Sequence, residues 1–244
     1  MKRILIIGAT SGIAKAVAYE YAGEKHDLIL SGRDMDELNA LARDIQVRNG
    51  VQVSVIRFDA LDYEGHPAFF EQCLAEGELE GIVLAHGYLP NQQEAQQDFN
   101  EAKKVIDINY TSCVSILEIA ARYFEEQKGG FIAVISSVAG DRGRQSNYLY
   151  GSTKGALTIY LQGLRNRLFP SGVQVLTVKP GFVDTAMTYG QPGMMLVAQP
   201  EQIARRVVSA IKKGKDTVYT PAFWTLIMFA VRSIPEKVFK RMKM

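Results

Sequence analysis

Short apolar segments alternate with longer amphipathic ones along most of the chain. The short segments are near-continuous runs of Ile, Val and Leu, which is typical of strands buried on both faces of a parallel sheet. The pattern predicts strands at Arg3–Ile7, Asp27–Ser31, Val51–Phe58, Gly81–Ala85, Phe131–Ser136, Val173–Lys179 and Thr217–Thr220. It predicts helices at Gly12–Ala22, Met35–Arg48, His66–Glu76, Gln97–Gln127, Tyr150–Phe169 and Pro200–Lys213. Repeated strand–helix units with right-handed crossovers indicate an α/β fold with a doubly wound parallel sheet, a Rossmann fold.

The length of 244 residues suits one sizeable α/β domain, and no repeat or linker divides it. We therefore expect residues 1–244 to form a single domain that ends in an amphipathic helical tail, about residues 221–244. Residues 187–199 combine apolar side chains with two glycines, namely Met187, Met194, Met195, Leu196, Val197, Gly190 and Gly193. This composition predicts a mobile lid over a substrate, and a packed surface loop is the alternative.

Composition excludes several classes of protein. The net charge of +2 gives no electrostatic basis for nucleic-acid binding. Cys73 and Cys113 cannot build a disulfide framework and indicate a reducing compartment, and no metal-ligand spacing occurs. Ile4–Ile7 is too short for the core of a secretory signal, and no apolar run approaches the ~20 residues of a spanning helix. We expect a cytoplasmic protein, with contact at the inner membrane face left open.

The turn after the first predicted strand reads Gly8-Ala9-Thr10-Ser11-Gly12-Ile13-Ala14. Glycines permit a tight turn and a close approach of a pyrophosphate to backbone N–H groups, and the following helix presents its positive dipole end. The turn predicts a dinucleotide cofactor held by Gly8, Thr10, Ser11, Gly12 and Ile13. A plain strand-to-helix turn is the alternative interpretation.

The second predicted strand ends with Gly32-Arg33-Asp34. An acidic residue at this point would bind a ribose 2′-hydroxyl, whereas a guanidinium favours a 2′-phosphate. Arg33 therefore predicts NADP(H), and Asp34 keeps NAD(H) as the alternative because it could pair with Arg33 or reach the ribose. Asp59, with Ala60 beside it, is predicted to contact the adenine, unless Asp59 is a helix N-cap.

Tyr150 and Lys154 lie four residues apart, which on a helix places them on one face. A free phenol has a pKa near ~10, and a neighbouring cation favours the phenolate. The pair predicts a general acid for reducing a ketone, or a general base for oxidising an alcohol. Lys154 is also expected to hold ribose hydroxyls of the cofactor. Tyr150 is expected to contact the cofactor as well. A surface Tyr/Lys pair is the alternative.

Other polar residues follow the predicted strands. Ser137 comes after the fifth strand, at the end that faces the ligand crevice of a parallel sheet, and is expected to hydrogen-bond a substrate carbonyl. Asn109 interrupts a helical segment and predicts a bend or a bound water. After the sixth strand, Pro180 and Gly181 break the chain where a nicotinamide would lie, and Val183 and Thr185 are expected to contact its carboxamide.

These motifs, in this order and spacing, make the sequence resemble the short-chain dehydrogenase/reductase family over nearly its whole length. The resemblance implies a catalytic set of Asn109, Ser137, Tyr150 and Lys154. Two segments depart from the family pattern. The third glycine of the turn is Ala14, and the usual Asn-Asn-Ala-Gly is Leu84-Ala85-His86-Gly87. The last three residues of that segment are expected beside the cofactor; His86 is interpreted as a packing residue or a ribose contact, with packing favoured.

Within this family, several segments are similar to the reductase subunits of decaprenylphosphoryl-ribose 2′-epimerases. They are Phe58–Asp62 with His66-Pro67, Ile108–Thr111, Tyr150–Lys154 and the tail from Lys213 to Phe239. The resemblance implies reduction of a 2-keto-pentofuranose on a polyprenyl phosphate, in a cell that also has a separate flavin-dependent oxidase. Reductases of a free sugar, a fatty acyl chain or a small carbonyl are the alternative, and a non-catalytic nucleotide sensor on the same fold is disfavoured by the intact catalytic set.

Two features bear on the substrate independently. Arg142 and Arg144 follow Ser137 and are interpreted either as a phosphate clamp or as solvated loop charges. The tail joins an apolar stretch to cations: Phe223, Trp224, Leu226, Ile227, Met228, Phe229, Arg232, Lys237, Lys240, Arg241 and Lys243. It is interpreted as a peripheral membrane contact or, slightly favoured, as a helix that packs on the core or a second subunit. We expect a homo-oligomer.

Overall fold

The computed structural model describes residues 2–187 and 196–242. Its strands are β1 (Arg3–Ile7), β2 (Asp27–Gly32), β3 (Val53–Arg57), β4 (Leu79–Leu84), β5 (Phe131–Ile135), β6 (Gln174–Pro180) and β7 (Thr217–Thr220). Its helices are α1 (Gly12–Gly23), α2 (Met35–Asn49), α3 (His66–Ala75), α4 (Gln92–Ala95), α5 (Phe99–Ile106), α6 (Ser112–Gln127), α7 (Tyr148–Leu168), α8 (Pro200–Lys212), α9 (Trp224–Ser233) and α10 (Glu236–Phe239).

The strands form one seven-stranded sheet in the order β3-β2-β1-β4-β5-β6-β7, and every neighbouring pair is parallel. The order reverses at β1 and β4, which is where ligands bind in open α/β sheets. The predicted doubly wound Rossmann fold is therefore confirmed.

The core lies on both faces of the sheet because side chains of a strand alternate between faces. Ile4 and Ile6 pack with α1, α2 and α8 on one face, whereas Leu5 and Ile7 pack with α3, α6 and α7 on the other. All four are fully buried. This two-sided burial explains why the strands are continuous apolar runs in the sequence.

The predicted helix Gln97–Gln127 is wrong as one element. Within this range the chain forms α5, then a π-helical turn at Asp107–Thr111, and only then α6. The N–H of Ser112 donates to the carbonyl of Asp107, five residues back, which identifies the π-turn. Asn109, where the sequence predicts a bend or a bound water, lies in this π-turn.

The tail consists of α9 and α10. Trp224 and Met228 of α9 are buried against Val138, so the inner face of α9 packs on the turn that follows β5. None of the described helices is long and apolar enough to cross a membrane. Of the predicted lid and tail, Gly190, Gly193, Met194, Met195 and Lys243 lie outside the described residues.

Candidate active site

A cavity of about 470 Å³ opens at the carboxyl ends of the strands. Its wall contains all the residues predicted to contact a cofactor: Gly8, Thr10, Ser11, Gly12, Ile13, Arg33, Asp59, Ala60, Ala85, His86, Gly87, Tyr150, Lys154, Pro180, Gly181, Val183 and Thr185. Ser137 also lines it, and so does Met187, the first residue of the predicted lid. Tyr88 and Lys104 line it too, although the sequence did not single them out. The predicted residues come from six separate segments of chain, so the fold brings them together.

The turn between β1 and α1 is closely packed against the end of β4. Gly8 has φ +78°, and a Cβ atom there would lie 2.6 Å from the backbone nitrogen of His86. Only glycine fits both the conformation and the space. Ser11 caps α1, since its Oγ accepts a hydrogen bond from the N–H of Ala14 at 3.3 Å. The N-terminus of α1 therefore faces the cavity as a ready site for an anion.

Arg33 is exposed at the edge of the cavity, just after β2. Asp34 caps α2 instead, with its Oδ1 accepting from the N–H of Glu37 at 3.0 Å. This cap gives Asp34 a structural role that does not depend on contact with a ribose. A second guanidinium, that of Arg57, ends the neighbouring strand in register with Gly32 and lies 3.6 Å from Asp59. Sequence reasoning missed Arg57 because its nearness to Arg33 depends on strand pairing.

Asp59 does not cap a helix, because α3 begins only at His66. Its Oδ1 accepts from the N–H of Leu61 at 3.1 Å, which shapes the turn after β3. The backbone carbonyl of Asp59 lies 3.1 Å from Nε2 of His66, and the other ring nitrogen lies 2.8 Å from Ser115 Oγ. His66 thus ties this turn to α6.

His86 lies in the cavity wall and also packs beside Phe58, with 5.6 Å between ring centroids. Its Nε2 lies 2.7 Å from Ser112 Oγ, and that hydroxyl donates its own hydrogen to the carbonyl of Ile108. The imidazole therefore donates through Nε2. Burial and the nearby Lys154 ammonium lower the pKa of His86 to about 3, so the ring is neutral. These contacts are those of a packing residue, which is the interpretation of His86 that the sequence favours.

Tyr150 and Lys154 stand on consecutive turns of α7, as predicted. The Lys154 ammonium lies 5.8 Å from the centroid of the Tyr150 ring. Lys154 is 3% exposed, and its Nζ donates to the carbonyl of Ile135 at 3.0 Å. The alternative of a surface Tyr/Lys pair is excluded by this burial.

Ser137 is held at a fixed distance from α7 by small residues. A Cβ atom at Gly140 would lie 2.6 Å from the backbone nitrogen of Gly155, so the turn Val138–Gly140 rests directly on the helix backbone. Ser136 Oγ adds a hydrogen bond to the carbonyl of Lys154 at 3.2 Å. Ser137 Oγ accepts from the N–H of Ala139 at 3.1 Å, which leaves its hydrogen able to point toward a substrate.

Asn109 is fully buried in the π-turn, behind the wall of the cavity. Its amide forms two hydrogen bonds of 2.7 Å with the backbone of Tyr88, one to the N–H and one to the carbonyl. It therefore fixes Gly87 and Tyr88 next to Lys154. The structure presents Asn109 as a residue that positions the cavity wall.

Arg142 is not part of a phosphate clamp. Its Nη1 donates to the carbonyls of Val231, Arg232 and Ile234 at 2.7–3.2 Å. Its Nη2 pairs with Glu236 at 2.9 Å, and the guanidinium lies 4.0 Å from the centroid of Phe239. Both terminal nitrogens therefore bind the tail, which also corrects the alternative of a solvated charge. Arg144 is partly buried, and burial lowers the pKa of its guanidinium.

A buried ion pair next to the site escaped sequence reasoning. Lys179 Nζ and Asp141 Oδ1 are 2.5 Å apart, with side chains 8% and 4% exposed. Tyr219 donates to the other carboxylate oxygen at 2.6 Å, and burial and Asp141 raise the pKa of Tyr219 to about 12. The only available signal was a lysine at the end of an otherwise apolar strand. This Asp141–Lys179–Tyr219 cluster joins the Ser137 turn to β6 and β7.

Comparison with known proteins gives consistent results. A model of the short chain dehydrogenase family matches residues 2–193. The chain is 32% identical over 244 residues to an uncharacterized oxidoreductase of Streptomyces coelicolor, covering 99% of this chain and 96% of that protein. It is 33% identical over 242 residues to an uncharacterized oxidoreductase of Mycobacterium tuberculosis, covering 98% and 96%.

Two solved structures share the fold at low sequence identity. One is a short-chain dehydrogenase from Sphingobium yanoikuyae in complex with NADPH, with a TM-score of 0.81 and 24% identity over 97% of both chains. The other is an alcohol dehydrogenase from Thermococcus sibiricus complexed with 5-hydroxy-NADP, with a TM-score of 0.81 and 24% identity, covering 97% of this chain and 99% of that one.

Proposed function

The chain belongs to the short-chain dehydrogenase/reductase family, and from that premise we propose that it interconverts a ketone and a secondary alcohol with NADP(H). Membership makes it an oxidoreductase that uses NAD(P)(H). The observation that carries the finer proposal is that Tyr150, Lys154 and Ser137 line the same cavity as the glycine turn and Arg33.

The cavity suits a dinucleotide. Gly8 allows close backbone approach at the turn, and the capped N-terminus of α1 favours a pyrophosphate. Arg33 would hold a 2′-phosphate, and Arg57 adds positive charge at the neighbouring strand end. Asp34, the residue that favoured NAD(H), caps α2. NADP(H) is therefore the proposed cofactor, with NAD(H) as the alternative.

When bound, the cofactor supplies or accepts the hydride, and the protein handles the proton. In the reducing direction, Ser137 donates a hydrogen bond to the substrate carbonyl oxygen and Tyr150 donates its phenolic proton to that oxygen. The Lys154 ammonium stabilises the resulting phenolate. Oxidation of an alcohol runs the same proton transfer in reverse, with Tyr150 as the base.

For the substrate, we propose a 2-keto-pentofuranose on a polyprenyl phosphate, produced by a separate flavin-dependent oxidase. The support is the resemblance of Phe58–Asp62, Ile108–Thr111 and the tail to reductases of that class. Because Arg142 is bound to the tail, the phosphate would need other partners. Free sugars, fatty acyl chains and small carbonyls remain the alternative substrates.

The test of the reaction is Tyr150→Phe. It should lower kcat by about 10²–10⁴-fold because the general acid is lost, while NADPH still binds. Tyr148→Phe is the matched control, since Tyr148 lies on the same turn of α7 and is 42% exposed. Equal activity of the Tyr150→Phe enzyme and the control would refute the mechanism.

The test of the substrate is an NADPH-oxidation assay against a panel of carbonyl compounds. It compares a keto-pentose with and without a prenyl-phosphate group, a 3-ketoacyl thioester and simple ketones. We expect the highest kcat/KM for the prenyl-phosphate keto-pentose. Higher kcat/KM for any other panel member would replace the proposed substrate while leaving the reaction type unchanged.

A further inference from the structure

Helix α9 is apolar on two opposite faces. Its inner face buries Trp224 and Met228 against Val138, with Ile227 and Val231 partly buried beside them. Its outer face exposes Leu226 and Phe229, which are 75% and 73% accessible. A helix that is apolar all round is normally buried. The outer face of α9 therefore has the chemistry of a contact surface.

The charges of the tail are almost all positive. Lys237, Lys240 and Arg241 are exposed, and Arg232 is exposed but also interacts with the hydroxyl of Tyr219. Glu236, the one acidic residue between positions 221 and 242, is paired with Arg142. Two copies of the chain that met here about a two-fold axis would bring their cations together, which is unfavourable. An anionic lipid surface would attract the same cations and accept Leu226 and Phe229 among its acyl chains.

We propose that the tail, residues 221–242, docks the protein on an anionic lipid surface. Leu226 and Phe229 enter the interface, and Lys237, Lys240 and Arg241 lie at the headgroups. This goes beyond the proposed reaction, because docking needs neither a particular substrate nor turnover.

Docking would bring the cavity close to the lipid. The inner face of α9 packs on Phe182, with 5.7 Å between the ring centroids of Phe182 and Trp224. Phe182 directly follows Gly181 of the cavity wall, and Met187 both lines the cavity and is 40% exposed. Only the thickness of α9 therefore separates its outer face from this segment of the cavity wall, and a docked protein would hold that segment near the lipid.

The experiment is sedimentation of the full chain with large unilamellar vesicles. We expect binding to vesicles of phosphatidylcholine and phosphatidylglycerol, weak binding to phosphatidylcholine alone, and loss of binding at high salt. The double variant Lys240→Gln/Arg241→Gln should weaken binding about 25-fold, taking about fivefold for each cation near an anionic surface. Leu226→Gln/Phe229→Gln should also weaken binding, through the apolar contact.

The control is Val47→Gln/Phe169→Gln, because Val47 and Phe169 are 87% and 79% exposed on other parts of the surface. This variant should bind vesicles as the unmodified protein does. The proposal is overturned if the unmodified protein does not bind anionic vesicles, or if the control loses as much binding as the tail variants. It is also overturned if Leu226→Gln/Phe229→Gln instead converts a dimer to a monomer, since a second copy would then cover this face.

Discussion

Removing the charge of Lys179 tests whether the buried ion pair supports the catalytic turn. In Lys179→Met, Asp141 still accepts the hydrogen bond from the Tyr219 hydroxyl but has lost its cation. The Asp141 side chain is only 4% exposed, so water cannot replace that cation. Breaking one side of a buried pair costs about 3–5 kcal/mol. For a chain of this size, 1 kcal/mol corresponds to about 2–4 °C in Tm. The melting temperature should therefore fall by about 6–20 °C.

A surface pair supplies the control. Lys212 and Glu24 are also 2.5 Å apart, but their side chains are 56% and 33% exposed. Lys212→Met should cost no more than about 1 kcal/mol, because exposed ion pairs contribute little. The assay is thermal unfolding of both variants and of Lys179→Met/Asp141→Asn, in which no buried charge is left unpaired and part of the stability returns. Equal losses for Lys179→Met and Lys212→Met would refute the reasoning.

The same variant should affect catalysis. Asp141 ends the turn that follows Ser137, and Lys179 precedes Pro180 of the cavity wall. Loss of the pair should therefore loosen Ser137 relative to Tyr150. At a temperature where both proteins are folded, kcat should fall more than NADPH affinity. Unchanged kcat would mean that the ion pair supports stability alone.

Three further predictions concern the cavity. Arg33→Ala should weaken NADPH binding by about 10–150-fold, the value of charge-assisted hydrogen bonds, and leave NADH binding unchanged in titration; equal weakening would exclude a 2′-phosphate contact. Asn109→Ala should lower the free energy of unfolding, measured by chemical denaturation, by about 1–3 kcal/mol for each Tyr88 backbone group left unpaired. It should also lower kcat, and a fully active variant would contradict the positioning role. Because the folded pKa of His86 lies near 3, below its ordinary value of 6.5, the unfolded state binds the extra proton between these values. Acidification from pH 6 to pH 4 should therefore destabilise the protein, and His86→Asn should reduce that slope by up to about 1.4 kcal/mol per pH unit in urea titrations; parallel slopes would contradict it.

The centre of the sheet was predictable because β1, β2, β4, β5 and β6 are buried on both faces and are rich in apolar residues. Errors at its strands are small, such as Gly81–Ala85 in place of β4 at Leu79–Leu84. The π-turn was hidden because apolar residues continue at helical spacing from Ala102 and Val105 to Cys113. Asn109 was the one local sign of the interruption.

Most of the cavity wall was predictable because its residues follow strands, and the ends of parallel strands meet at one edge. Tyr150 and Lys154 were predictable from their spacing on one face of α7. Contacts between distant segments were not. Arg142 finds its partners 89–94 residues further along the chain, and Lys179 finds Asp141 38 residues back. The spacing of Arg142 and Arg144 in the sequence does not show whether a guanidinium binds the end of a helix or is free to bind an anion.

The hydrogen bonds from Arg142 to the end of α9 couple the motions of two parts of the protein. Asp141 and Arg142 are neighbours, so the residue that anchors the Ser137 turn to β6 and the residue that holds the tail must move together. Local opening of either contact would strain the other, which makes the turn and the tail one cooperative unit. In native-state hydrogen exchange, their amide protons would share a single opening free energy, and a lipid surface or ligand that orders one would slow exchange in both.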